Sequence, residues 1–159
     1  MSNKPTYKEL EQRVKEMEEE AVRREKTEEA LRESEEIFRL FMEHSPVYTF
    51  FKDENIRSLK LSRNYEQMLG IPIDELIGKT MDEIFPSNLA KSMIANDKRI
   101  LKEGKTETVT EELDGRYYET TKFPIYVNDK PKYLAGFTMD VTERKRTEEM
   151  LKQRSRDFS

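Results

Sequence analysis

The sequence of 159 residues contains no cysteine and a single histidine, His44. Without cysteine the chain has no disulfide, no thiolate metal site and no cysteine nucleophile. No apolar run approaches the roughly 18 residues that a membrane span needs, and the N-terminus lacks the apolar core of a signal peptide. We therefore expect a cytoplasmic segment without direct membrane insertion.

The sequence also lacks a large excess of positive or negative charge. The 29 basic and 33 acidic residues give a net charge of −4 and are interleaved, so no basic patch indicates a nucleic-acid partner. The sequence has no glycine-rich phosphate loop and no paired-histidine metal pattern. We predict no catalytic residue, no metal site and no enzymatic activity in this segment.

The N-terminal end has the pattern of one long helix over residues 6–43. Thr6 and Glu9 have the spacing of a capping box. Apolar residues recur at coiled-coil spacing through Leu10, Val14, Met17 and Ala21, and after a break at Arg24 the seam continues through Thr27, Leu31, Ser34, Phe38 and Phe41. These apolar residues are too few to hold a long helix against a single core, so the helix needs a partner helix. We therefore predict a coiled-coil homodimer; the alternative is a frayed or differently packed helix.

The middle of the chain holds almost all the aromatic residues and alternates between strand and helix patterns. Period-two segments predict strands over 47–53, 56–62, 106–113, 116–123 and 132–142, and capped segments predict helices over 64–69, 74–77, 81–85 and 88–103. Asn64, Thr80 and Ser87 are the predicted N-caps, and Pro86 ends the helix before the last of these four. This order predicts an α+β fold: one five-stranded antiparallel sheet with short helices on one face.

Asp114-Gly115 is a strong hairpin signal between two of the predicted strands. A two-residue turn there would place Leu113 opposite Arg116, Val109 opposite Thr120, and Glu107 opposite Lys122. We expect Glu107 and Lys122 to form a cross-strand ion pair.

Five segments stand in a specific order along the chain: "ESEEIFRLFMEHSP" at entry, "SRNYEQMLG" and "ELIGKTMDEIFP" in the helical half, "DGRYYETTKFPI" in the hairpin and "MDVTERKRTEE" at the exit. Together they resemble a PAS domain of a bacterial multi-domain sensor protein of the histidine kinase type. The exit is the most specific, because such domains end in an Asp-x-Thr triplet followed by Glu-Arg-Lys. In this chain those residues are Asp140, Thr142, Glu143, Arg144 and Lys145.

The resemblance divides the chain into three parts. We assign 6–43 to an N-terminal coiled-coil signalling helix, 44–142 to the PAS domain, and 143–159 to the start of a C-terminal linker helix. "KTEEALRES" at 26–34 is echoed by "RTEEMLKQR" at 146–154, which fits tandem sensors in which the helix leaving one module enters the next. The alternative is that two charged, leucine-containing helices are similar by chance.

The resemblance implies a sensory module that dimerises and passes a conformational signal through its flanking helices to an output domain such as a histidine kinase. Two alternatives remain: a ligand-free module for dimerisation and protein interaction, and a sensor that binds a small metabolite. The resemblance also implies that the exit motif is the signal junction, formed by Asp140, Thr142, Glu143 and Arg144.

Local chemistry adds detail to this junction. Thr142 is a good N-cap for the exit helix, and Glu143 suits the positive end of its dipole. Arg144 is within local reach of Asp140, so we predict an ion pair between them. The alternative is a cap and a surface salt bridge without a signalling role.

The same resemblance implies a place for a small ligand, between the sheet and the helix that follows Pro86. The candidate walls are Phe50, Tyr65, Met68, Leu69, Ile84, Phe85, Met93, Phe123, Phe137 and Met139. These residues would equally fill an ordinary core. Arg63, Lys122 and Arg116 either meet an anionic ligand or are solvated.

No cofactor is expected. Flavin photosensors of this family need a cysteine, which is absent, and haem-binding members have their ligand in the helical half, whereas His44 precedes the first strand. The sequence around His44 does not fit a kinase phosphoacceptor either. We expect His44 to be structural or exposed.

Overall fold

The computed structural model describes residues 3–85 and 87–158, without the side chain of Leu113. Within these ranges the helices are α1 Tyr7–His44, α2 Tyr65–Leu69, α3 Ile73–Leu76, α4 Met81–Ile84, α5 Asn88–Glu103 and α6 Thr142–Asp157. The strands are β1 Tyr48–Lys52, β2 Ser58–Leu61, β3 Glu107–Leu113, β4 Arg116–Val127 and β5 Lys130–Asp140. Pro86, which we predicted to end α4, lies outside the described residues.

The five strands form one antiparallel sheet in the order β2-β1-β5-β4-β3. The first and last strands of the chain, β1 and β5, are therefore neighbours inside the sheet, and helices α2 to α5 form the connection from β2 to β3. The last of these helices packs against β4 and β5. The predicted α+β fold with a five-stranded sheet is confirmed.

Strand alternation divides the side chains of the sheet between two faces. Phe50 pairs with Gly136, and Gly136 pairs with Lys122, so these positions share one face. We call it the helix face, because Asp97 of α5 bonds to Lys122 there. Neighbouring positions on the opposite face include Phe51, Ala135 and Phe123.

The predicted hairpin between β3 and β4 is confirmed residue by residue. Asp114 and Gly115 form the turn with φ angles of 52° and 77°, the left-handed pair that a two-residue turn requires. The partners across the ladder include all three predicted pairs, Leu113 with Arg116, Val109 with Thr120 and Glu107 with Lys122.

Three of the predicted helix starts are formed as expected, and at one of them the Thr80 N–H donates to Glu83 Oε2 over 3.2 Å within a capping box. Thr6 N–H donates to Glu9 Oε2 over 2.7 Å, and Glu9 N–H donates to Thr6 Oγ1 over 3.2 Å. Ser87 Oγ accepts the N–H three residues on over 3.1 Å. Asn64 does not cap α2: it has a helical backbone, and its Oδ1 accepts the hydroxyl of Ser62 over 2.5 Å instead.

The turn between β1 and β2 contains an unusual residue, Ile56, which is fully buried with a φ of 62°. A β-branched residue seldom adopts this left-handed conformation. The Asp53 carboxylate supports the turn by accepting the N–H of Asn55 over 2.8 Å and that of Arg57 over 3.0 Å. The side chain of Ile56 belongs to the main core cluster, together with Phe50, Ile100 and Leu134.

The contacts divide the chain into two compact units, and the second begins at Met42. Helix α1 confirms the predicted long helix, and along it Leu10, Val14 and Met17 of the seam are 46%, 53% and 68% exposed. The coiled coil itself stays a prediction. No helix among the described residues combines the length and the apolar character that a membrane crossing demands.

Candidate functional site

The two carboxylate oxygens of Asp140 serve different partners where β5 meets α6. Oδ2 accepts a hydrogen bond from Arg116 Nε over 2.7 Å and a second from Arg116 Nη2. Oδ1 accepts the N–H of Thr142 over 3.0 Å and its hydroxyl over 2.5 Å. The Thr142 Oγ1 in turn accepts the N–H of Tyr117 over 2.9 Å. Elements β4, β5 and α6 therefore meet at these side chains.

All the donors around Asp140 favour its ionised form. The hydroxyl of Thr142, then its N–H, then Arg116 lower the pKa of Asp140 to about 2. The hydrogen bond and the charge of Asp140 also raise the pKa of Arg116. The junction is therefore a charged pair at neutral pH.

The predicted Asp140–Arg144 ion pair is wrong. The sheet register pairs Asp140 with Tyr118, which makes Arg116 its diagonal neighbour on the same face. Arg144 bonds instead to Glu119 of β4, with 2.7 Å between Nη2 and Oε2. Because α6 begins at Thr142, Asp140 is not on the helix, and closeness in the sequence does not bring the two side chains together.

The predicted N-cap role of Thr142 is also wrong. Thr142 is the first residue of α6, and the N-cap position belongs to Val141, without a side-chain capping bond. The hydroxyl of Thr142 points to the sheet, where it bonds Tyr117, while Asp140 accepts the Thr142 N–H. Glu143 lies in the first turn of α6, as predicted from the helix dipole.

A buried charge cluster, which we did not predict, lies on the helix face and is formed by Lys52, Asp97 and Lys122. Asp97 Oδ2 lies 2.6 Å from Lys52 Nζ, and Asp97 Oδ1 lies 2.6 Å from Lys122 Nζ. The side chains are 7%, 0% and 9% exposed in chain order. Burial is the larger influence on Lys52 and lowers its pKa, although Asp97 opposes this shift.

Lys122 and Glu107 stand opposite each other as predicted, but they do not form the predicted ion pair. Lys122 turns to Asp97 and to Asn96 Oδ1, the latter over 3.2 Å. Glu107 bonds to Arg99 over 2.5 Å. Helix α5 supplies a different partner to each of the two residues, Arg99 to Glu107 and Asp97 to Lys122. The prediction failed because it considered the hairpin without this helix.

The structure does not bring all the candidate pocket residues together. On the helix face Phe50 is buried, and the nearby Tyr65 of α2 packs edge-on against Tyr48 with 5.3 Å between the ring centroids. The ring of Phe50 fills the space above Gly136, since a Cβ there would lie 2.3 Å from Phe50 Cζ. Met68 is 44% exposed.

The register separates three other candidates from Phe50. They lie on the opposite face of the sheet, and they are Phe123, Phe137 and Met139. The remaining candidates, Leu69, Ile84, Phe85 and Met93, lie on α2, on α4 or just after it, and on α5, and are partly buried. Binding of a ligand by any of these residues stays a prediction.

The three basic residues that could bind an anionic ligand lie in different environments. Arg63 pairs with Glu43, and Arg116 pairs with Asp140. Lys122 is buried, which rules out the alternative that it is solvated. His44, the last residue of α1, is exposed. No group of metal-ligating side chains occurs in the part of the chain that the structure describes.

Comparison with known proteins agrees with this architecture. A family model described as "PAS fold" matches residues 42–146. The aerobic respiration control sensor protein ArcB of Escherichia coli K12 is 28% identical over 125 residues, which are 75% of this chain and 16% of that protein. The chain thus spans only a small part of this relative.

Solved structures show the same fold. The PAS domain of Bordetella pertussis BvgS matches with a TM-score of 0.58 at 24% identity, over 79% of this chain and 98% of that one. A sensory box sensor histidine kinase from Vibrio cholerae matches with a TM-score of 0.55 at 15% identity, over 73% and 98% of the two chains. Because the family model covers more than half of the sequence, the chain belongs to the PAS fold family.

Proposed function

We propose that this chain is the sensory module of a bacterial cytoplasmic signalling protein. It dimerises and relays a conformational signal through its flanking helices to an output domain such as a histidine kinase. The module itself performs no catalysis. The observation that supports this best is the attachment of α6 to β4 and β5 through Asp140, Thr142 and Arg144.

The junction combines one firm contact with two weak ones, which suits a relay. Thr142 is 2% exposed, so its hydroxyl holds the start of α6 against the sheet. The pairs of Asp140 with Arg116 and of Arg144 with Glu119 are partly exposed, and such pairs stabilise by only about 0–1 kcal/mol. A small shift of β4 against β5 would therefore exchange these pairs and reorient α6.

The relay is tested in the full-length parent protein by autophosphorylation or another output with and without stimulus. We expect Asp140→Ala and Thr142→Ala to change the basal output or abolish its response. Thr142→Ser keeps the hydroxyl and should behave like the wild type. Glu111→Gln, on the edge strand β3, is a surface control. An unchanged output and response in both alanine variants would contradict the relay.

Dimerisation is supported by the exposed seam of α1. A helix of 38 residues with so few apolar residues gains little from burial within one chain, whereas a second copy would cover Leu10, Val14 and Met17. The spacing of these residues places them on one side of the helix.

The absence of cysteine makes cross-linking a clean test of the dimer. We expect Met17→Cys to form a disulfide-linked dimer under mild oxidation. Glu19→Cys is the matched control, because two residues along a helix turn the side chain by roughly 200° away from the seam. A monomer by light scattering, together with equal cross-linking of both variants, would rule out the predicted seam.

A further inference from the structure

The buried cluster of Lys52, Asp97 and Lys122 has more positive than negative charge. Two ammonium groups share one carboxylate, each at 2.6 Å, and none of the three side chains is more than 9% exposed. Burial of an unbalanced charge is costly, because the protein interior replaces hydration poorly. The cluster therefore lacks one negative charge.

The hydrogen bonds show the same deficit. An ammonium group has three N–H donors. Among the described residues, Lys52 Nζ donates only to Asp97, and its other close neighbour is the ring of Phe50, 5.3 Å from the ring centroid. Lys122 Nζ donates to Asp97 and Asn96. Three donors thus remain for an acceptor that the described residues do not supply.

A polar path connects this cluster to the surface. Asn96 accepts from Lys122, and its Nδ2 donates to Glu107 Oε2 over 3.2 Å. Glu107 is held by Arg99, whose side chain is 46% exposed. Arg99 also pairs with Glu103 over 3.4 Å, and among the described residues neither Glu103 nor Glu107 forms a salt bridge with either lysine of the cluster. Opening the Asn96–Glu107 bond would give Lys122 a route to the surface.

We propose that Lys52 and Lys122 bind the carboxylate of a small monocarboxylic acid, which supplies the missing charge and acceptors. A single negative charge makes the cluster neutral, whereas a phosphate dianion would reverse its charge. The neighbouring core is apolar: Leu134 pairs with Lys52 across β1 and β5, and Ile100 follows Asp97 by three residues on α5. This proposal rests on the sensory function proposed above and names its class of ligand.

The test is a thermal-shift titration of the full chain with sodium acetate, propionate and pyruvate, against sodium chloride at equal ionic strength and pH. We expect a saturable rise of Tm with at least one carboxylate, on the order of 10 °C at a hundred times Kd. Calorimetry on the same samples should give one site per chain.

Lys52→Met is the decisive variant, because it leaves a neutral Asp97–Lys122 pair. We expect it to fold, to lose the carboxylate-dependent rise of Tm, and to match or exceed the wild-type Tm without carboxylate. Lys60→Met, an exposed lysine of β2, should keep the wild-type response.

Three results would overturn the proposal: no carboxylate raises Tm above chloride, Lys52→Met responds like the wild type, or phosphate and chloride protect as well as the carboxylates. The test reads binding directly and involves neither dimer nor output. A failed cross-link with intact carboxylate binding would therefore reject the dimer alone, and the reverse result would reject the ligand alone.

Discussion

Arg116 Nε donates to Asp140 Oδ2 over 2.7 Å, although 24 residues separate the two in the chain. The bond ties the first residue of β4 to the last residue of β5, at the point where α6 begins. Since both side chains are partly exposed, the pair adds little stability. Its effect is to orient a carboxylate whose other oxygen accepts the N–H of Thr142.

The stability contributed by Asp140 should depend on pH at the acid end. Its pKa is about 2 in the folded chain and about 3.9 in an unfolded one, so the unfolded state binds more protons between these values. The contribution is complete above about pH 4 and is lost as pH falls through about 2. We expect the stability difference between wild type and Asp140→Asn to shrink across this window in urea unfolding. A difference that stays constant down to pH 2 would contradict this account, and Glu112→Gln is a surface control.

Removal of the Thr142 hydroxyl should destabilise the domain more than loss of either ion pair. Thr142→Val keeps the shape of the side chain but leaves the N–H of Tyr117 without its acceptor in a site that is 2% exposed. An unsatisfied buried group costs about 1–3 kcal/mol. Urea unfolding of Thr142→Val, with Thr142→Ser as the control that keeps the hydroxyl, measures this cost. Equal stability of the two variants would show that the hydroxyl does not hold α6.

Features that depend on nearby residues could be predicted from the sequence. The hairpin register follows from Asp114-Gly115 and the alternation on each side, and the cap at Ser87 follows from one side chain and one turn of helix. The family could be predicted as well, because its motifs occur in order along the chain. These features need no knowledge of how α5 lies on the sheet.

Partner choice between distant residues could not be predicted. Asp97 is 45 residues from Lys52 and 25 from Lys122, and only the packing of α5 brings the three together. Two signals were nevertheless present. Lys52 follows Phe50 by two residues and therefore lies on the same buried face of β1. Asp97 follows Ile94 by three residues on the apolar side of α5. A charge at an inward position of both elements is the sign of a buried pair.

The buried turn residue Ile56 should be among the most sensitive positions of the core. We expect Ile56→Ala to cost about 2–5 kcal/mol of unfolding free energy, because the fully buried side chain leaves a cavity among Phe50, Ile100 and Leu134. Ile56→Val should cost about 0.5–1.5 kcal/mol. Leu59→Ala, at a 38% exposed position of β2, is the control, and its cost should be smaller than that of Ile56→Ala. Equal costs at positions 56 and 59 would argue against the anchoring role of Ile56.

Charge balance in the cluster predicts opposite outcomes for two neutralising substitutions. Asp97→Asn leaves two buried ammonium groups without a counter-charge, and loss of one member of a buried pair costs about 3–5 kcal/mol. Lys52→Met leaves a balanced Asp97–Lys122 pair and replaces an ammonium whose pKa burial already lowers, so it should change the stability by less than about 1 kcal/mol or raise it. Urea unfolding at pH 7 in carboxylate-free buffer compares the two. If Lys52→Met costs as much as Asp97→Asn, the cluster is not short of negative charge, and each ammonium group is needed for the fold itself.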